Sequence, residues 1–165
     1  MKLLQINSVL SDFGSTGKIV NQIGDVAIRN GWESHIAYGR WGCLSRSSLI
    51  KLENNLDIYL HVAYTRLTDR HGLCSNKATR RLIEYIKDLR PDIIHLHVLH
   101  GYYLNYKMLF EYLNTLDTPI VWTQHDCWAF TGHCSYFTEA GCYKWREQCH
   151  DCPISHDYPC AYRDN

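Results

Sequence analysis

Residues 90–126 read RPDIIHLHVLHGYYLNYKMLFEYLNTLDTPIVWTQHD. Arg90-Pro91-Asp92 breaks the helical pattern before it, because proline lacks an amide donor and pushes its predecessor out of helical geometry. IIHLHV follows, rich in β-branched and other apolar residues and too continuous to have a solvent-facing side. Residues 106–116 form a helix that leads into Thr118-Pro119, and IVWT is a second apolar strand. Strand, helix and strand make a βαβ unit, and strands this apolar belong to a parallel sheet covered by helices on both faces.

The same alternation runs outward to the N-terminus. Residues 2–6 are a short apolar run ending at Asn7, and the polar loop SDFGSTG follows. Residues 18–30 place Ile19, Val20, Ile23, Val26 and Ala27 at helical spacing, and Gly31 ends that helix. Residues 34–38 read as a second strand. Residues 41–55 carry no period and read as a loop. Leu56, Leu60, Ala63, Tyr64 and Leu67 mark one helix over 56–67. Leu82, Ile83, Ile86 and Leu89 mark another over 77–89, with Lys77, Arg80 and Arg81 on its solvated face. The expected class is α/β, a Rossmann-like parallel sheet with helices on both faces, followed by a Cys-rich extension.

Composition narrows the function. The 165 residues carry no formal net charge, so nothing advertises nucleic acid or an anionic membrane. No apolar run approaches the ~20 residues that span a bilayer. MKLLQINSV lacks a signal-peptide pattern and reads as a first strand, so the expected location is the cytoplasm. In that compartment clustered cysteines are more often metal ligands than disulfides.

Ligands of open α/β sheets bind outside the carboxyl ends of the strands. The polar residues there are Asn7, the Gly14–Gly17 loop, His97, His100, His125 and Asp126. The glycine loop is neither a Walker A loop nor GxGxxG, since Gly14 and Gly17 give only GxxG. It offers free amides and a helix dipole to an anion, and it equally suits a tight turn that binds nothing. His95 alternates with His97 within a strand, so one of the two is expected to point into packing. Trp122 and Trp128 read as packing residues.

RPDIIHLHVLHGYYLN and PIVWTQHDCWAFTGHC together resemble a known family. They look like the N-terminal domain of a family-four glycosyltransferase of GT-B architecture, of the kind that builds bacterial polysaccharides. The matching positions are residues 91–97 and 100–103, Asn105, Trp122, Thr123, His125, Asp126, Trp128, residues 130–134, Cys142, Trp145, Cys149, Cys152 and Pro153. The specific part is 90–153. The resemblance implies sugar transfer from a nucleotide-sugar donor to a saccharide or lipid-linked acceptor, with retained anomeric configuration and no catalytic metal. It implies that His125 contacts the donor sugar, that Asp126 orients His125 or the following loop, and that Gly14 and Gly17 approach the diphosphate. His97, His100 and Tyr103 would line the acceptor side. It further implies a Rossmann-like acceptor-side unit over 1–131 and a Cys-rich extension over 132–165. The donor-binding domain would lie outside this chain, leaving the chain inactive by itself. Peripheral association with the inner face of the membrane is the matching expectation for the whole enzyme.

The cysteines are spaced Cys134-x7-Cys142-x6-Cys149-x2-Cys152. Four thiolates around Zn²⁺ make a closed, structural site. Such a site would staple a loop with too few apolar side chains to fold alone, with Lys144 or Arg146 donating to the sulfurs. A redox pair at Cys149 and Cys152 is the rival, and His133, His150, His156, Cys127 or Cys160 could replace one ligand. Two other functions compete with the transferase reading. One is a zinc-stabilised interaction module without catalysis. The other is a nucleotide-dependent oxidoreductase, which lacks its glycine fingerprint here.

Overall fold

The computed structural model describes residues 1–12 and 14–163. Its strands are β1 (Lys2–Val9), β2 (Glu33–Arg40), β3 (Ser48–Lys51), β4 (Ile93–Leu96) and β5 (Ile120–Trp122). The helices are α1 (Ser15–Arg29), α2 (Asn55–Thr68), α3 (Asn76–Leu89), α4 (Tyr106–Leu113) and the one-turn α5 (Trp128–Thr131). All neighbouring strands pair in parallel, in the order β3-β2-β1-β4-β5.

β1 lies at the centre, and every residue from Leu3 to Ser8 is buried. Successive side chains of a strand point to opposite faces, so the inner strands can serve a core on each side of the sheet. Leu4 and Ile6 of β1 and Ile94 and Leu96 of β4 pack with Leu82 and Ile86 of α3 and Leu109 of α4. On the other face Ile36 of β2 packs with Val20 of α1 and Leu10. Each fully buried Leu or Ile contributes roughly 1.5–3 kcal/mol through apolar burial. Helix α3 turns Ala78, Leu82, Ile83 and Ile86 inward and leaves Lys77, Arg80 and Arg81 in solvent, as its periodicity requires.

Two close approaches depend on glycine. A Cβ at Gly17 would stand 2.6 Å from the Ser11 amide nitrogen and 2.8 Å from its carbonyl oxygen. A Cβ at Gly39 would collide with the ring of Tyr103. Both glycines let one backbone reach a neighbour that any side chain would hold away.

The structure adds β3 within the stretch expected to be loop. Three of its four residues are exposed and it lies at the sheet edge; its apolar part is only the pair Leu49-Ile50, of which Ile50 packs against the core. IIHLHV is shorter as a strand than expected. β4 ends at Leu96, although the His97 amide still donates to the Ile6 carbonyl at 3.0 Å.

The chain runs outward from β1 to β2 and β3, then returns to β4 on the other side of β1. That reversal lies between β1 and β4, the position where open α/β sheets bind ligands beyond the carboxyl ends of their strands. The C-terminal segment folds back beside it. The Tyr162 amide donates to the Arg66 carbonyl at 2.8 Å, and Ala161 is buried. Among the described residues, no helix is long and apolar enough to cross a membrane.

Candidate active site

At the carboxyl ends of β4 and β5 three imidazoles gather. His95 and His97 stand two residues apart, so they project from the same face of the sheet, and their ring centroids are 4.1 Å apart. The expectation that one of the pair turns into packing while the other does not is therefore corrected: a strand's period of two puts both on one side. His125 follows β5 by three residues and stacks on His97 at 5.3 Å. His97 Nδ1 lies 3.0 Å from His125 Nε2, and His97 Nε2 lies 3.2 Å from Gln5 Oε1. The Gln5 amide nitrogen donates to the Val20 carbonyl of α1 at 3.0 Å. His95 Nε2 meets the Thr123 hydroxyl at 2.8 Å.

Burial pushes the His97 imidazole down to about 3, and the neighbouring His95 and His125 add to the fall. His95 is lowered by burial and then by His125. His125 is lowered by burial, partly offset by the Asp126 charge. All three rings are uncharged at neutral pH, so they can donate and accept hydrogen bonds but supply no positive charge. His97 is 1% exposed and reaches a ligand only through His125, whereas His125 is half-buried.

Of the two expected roles of Asp126, its contacts fit the second, orienting the segment that follows, and add a bond to His100. Its Oδ2 lies 2.7 Å from His100 Nε2, and its Oδ1 accepts from the Trp128 amide at 3.0 Å. Asp126 therefore orients His100 and the first turn of α5. Burial pushes its carboxyl up, but the His100 hydrogen bond and charge and the Trp128 amide outweigh that and hold it below the ordinary value. His100 Nδ1 meets the Tyr158 hydroxyl at 2.9 Å, so the C-terminal segment is tied to the β4 end. His71 packs in the same aromatic group, 4.7 Å from Tyr102 and 5.9 Å from Trp128.

Tyr103 does not line a cleft. It is fully buried against Gly39, and its hydroxyl donates to the Val98 carbonyl at 2.9 Å. The sequence pattern HGYY cannot say which tyrosine joins the main core, because Gly101 and Tyr102 both take positive φ and turn the chain sharply there. Gly14 caps α1 in an extended conformation, and a Cβ there would meet nothing. Gly17, by contrast, is demanded by packing. Of the GxxG pair only Gly14 stands at an open surface.

Gln5 was absent from the expected site. Its signal is a lone amide within the apolar run LLQIN, since a polar side chain at the centre of a parallel sheet needs a partner. His71 and Tyr158 had no such signal, because loops far apart in sequence bring them to His100.

Cys134, Cys142, Cys149 and Cys152 line one cavity together with Phe137 and Trp145. Burial pushes the Cys134 thiol up, and the neighbouring Cys149 and Cys142 add to the rise. Four thiols are a donor set whose chemistry suits Zn²⁺. Among the described residues, however, no three His, Cys, Asp or Glu side chains already converge as ion ligands. Phe130, Phe137, Tyr143 and Trp145 meet at ring-centroid distances of 5.0–6.0 Å, but none of them is buried, in keeping with a loop that has little apolar core of its own. One expectation for this loop is corrected. Lys144 donates to the carbonyls of His150 and Asp151 at 2.8 and 3.0 Å rather than to sulfur, and Arg146 lies over Tyr143.

A doubly wound parallel sheet with a histidine cluster at the carboxyl ends of its strands defines a Rossmann-like domain. The description Glycosyltransferase Family 4 matches residues 17–150, and the chain belongs to that family. It is 31% identical over 172 residues to the putative colanic acid biosynthesis glycosyl transferase WcaC of Escherichia coli (strain K12). That match covers 96% of this chain and 41% of the relative, so the chain spans about two fifths of that protein. The crystal structure of CalG4, the calicheamicin glycosyltransferase, superposes with a TM-score of 0.48 at 17% identity. It covers 94% of this chain and 39% of the other.

Proposed function

We propose that this chain is the acceptor-side part of a retaining glycosyltransferase. The enzyme would move a sugar from a nucleotide-sugar to a saccharide or lipid-linked acceptor in surface-polysaccharide synthesis. The observation that carries the reading is the cluster of His95, His97 and His125 at the carboxyl ends of β4 and β5, in a chain of this family. Uncharged imidazoles suit sugar hydroxyls, which both donate and accept, better than a diphosphate. Charge on the leaving diphosphate calls for other groups: the α1 amides behind Gly14, with Lys18, and the part of the protein beyond this chain. That further part would hold most of the nucleotide-sugar, and residues 1–131 and 132–165 would form the wall facing it. The proposed location is the cytoplasm, at the inner membrane face if the acceptor is a lipid-linked saccharide.

We also assign Cys134, Cys142, Cys149 and Cys152 to one structural Zn²⁺. The shared cavity and the mutual influence of three of the thiols support this. Zinc would draw the sulfurs together and take no part in transfer.

The decisive experiment uses the longer protein that contains this chain, a panel of nucleotide-sugars and a lipid-linked saccharide acceptor. Transfer is expected, and His125→Ala should lower kcat on the order of 10²-fold with unchanged melting. Normal turnover in a folded His125→Ala protein refutes the assignment of His125.

A further inference from the structure

The hydrogen bonds behind His125 have a fixed polarity, and it starts at α1. The Gln5 amide nitrogen donates to the Val20 carbonyl. The other end of that amide, Oε1, is therefore the acceptor turned toward His97. His97 Nε2 at 3.2 Å must carry the hydrogen that meets it. A flipped amide would set Oε1 against the Val20 carbonyl, two acceptors facing each other with no proton between them. With its proton on Nε2 and its ring uncharged, His97 keeps a bare Nδ1. The atom opposite, His125 Nε2 at 3.0 Å, must then be the donor. His125 Nδ1 is thus left without a proton. It is not among the buried atoms that lack a partner, and the ring is only half-buried.

We propose that Gln5 and His97 are positioning residues that lock His125 as its Nε2–H tautomer and so present Nδ1 as a hydrogen-bond acceptor for a substrate hydroxyl. The relay runs Val20 carbonyl, Gln5, His97, His125. It explains why an amide occupies the centre of the most buried strand, where an apolar side chain would pack without needing partners. It also assigns direction: the sugar hydroxyl donates to His125 and does not accept from it. The hydroxyl as ligand rests on the transferase reading; the tautomer itself does not.

The test is ¹⁵N NMR of the histidine rings in the 165-residue chain at neutral pH. A nitrogen–nitrogen coupling across the His97–His125 bond is expected, with the proton attached to His125 Nε2 and with Nδ1 of both rings unprotonated. Gln5→Met removes the anchor and should weaken or average out that coupling. Gln5→Glu should preserve it, because a protonated carboxyl can donate to the Val20 carbonyl and accept from His97 as the amide does. A proton found on His97 Nδ1 in the wild-type chain overturns the relay, and so does an undiminished coupling in Gln5→Met. The wild-type measurement decides the polarity even if Gln5→Met does not fold. In the longer protein Gln5→Met should lower kcat/KM roughly tenfold, the scale of one misdirected hydrogen bond, with Gln5→Glu close to wild type. If the tautomers are as stated and no sugar transfer is found, the transferase reading fails while the relay stands.

Discussion

Replacing Asp126 tests whether this carboxylate is a hinge of the structure, as its contacts imply. Asp126→Ala removes two interactions: the Oδ2 contact to His100 Nε2 at 2.7 Å and the Oδ1 cap on the Trp128 amide at 3.0 Å. Both side chains of the His100–Asp126 pair are largely buried, 9% and 14% exposed, so solvent does not replace the lost partner. A hydrogen bond to an ionised group contributes about 1.5–3 kcal/mol, and a helix cap about 1 kcal/mol. Asp126→Ala should therefore cost roughly 2–4 kcal/mol, which lowers the melting temperature of a chain this size by about 5–15 °C. Asp126→Asn keeps an acceptor for the Trp128 amide and should cost less. Because the folded carboxyl is held below its ordinary 3.8, its stabilisation is complete above that value. It is lost as pH falls through the lower folded value. The assay is chemical unfolding of the 165-residue chain at pH 7 and pH 3, followed by circular dichroism, for wild type, Asp126→Ala, His100→Phe and the double variant. The two single changes should be non-additive, since each removes the same contact. A loss under about 0.5 kcal/mol at pH 7, the usual size for an ordinary surface change, refutes the reasoning. Strict additivity with His100→Phe would do so as well.

Glu53 is buried, and its carboxyl is pushed from 4.5 up to about 7, mainly by that burial. The unfolded chain ionises first, so stability should fall as pH rises from about 4.5 to 7 and level off above it. Glu53→Gln should abolish that slope and raise stability at pH 8 by roughly 1–3 kcal/mol, read by denaturant titration; an unchanged pH profile counts against a strained acid. Gly17→Ala forces a Cβ into the backbone at Ser11, so α1 must shift, at about 1–3 kcal/mol; an unperturbed melting curve would show that the turn can relax. Freshly purified, metal-replete protein should contain one Zn²⁺ per chain by elemental analysis. Chelation should raise hydrogen exchange over 132–153 before the sheet opens, and zinc well below one equivalent defeats the site.

The alternation of apolar runs with helical spacing was enough to determine the parallel sheet, because burial on both faces leaves no polar alternation to obscure it. Residues 3–8 and 93–96 declared themselves in that way; residues 120–122 are as apolar in sequence but form an edge strand whose Ile120 and Val121 are exposed. β3 did not declare itself, since an exposed edge strand is held largely by backbone pairing and the short Leu49-Ile50 pair sets no pattern. The strand-end rule brought His97, His100, His125 and Asp126 onto the list of site residues from the sequence. It could not decide which of them touch. Asp126 follows His125 directly in the chain, yet it bonds to His100, because adjacent residues leaving a strand point in different directions and only the return of the β4 loop supplies a partner. Tyr102 and Tyr103 are indistinguishable in sequence and both are buried, but the sharp turn at Gly101 sends Tyr103 into the main core and Tyr102 against His61, His71 and Tyr158. Gln5 is the clearest division: its type and its place in an apolar strand signalled a buried amide. That its two ends join α1 to His97 follows only from β1 lying between β2 and β4, which sets Gln5 beside His95 in the ladder and below α1.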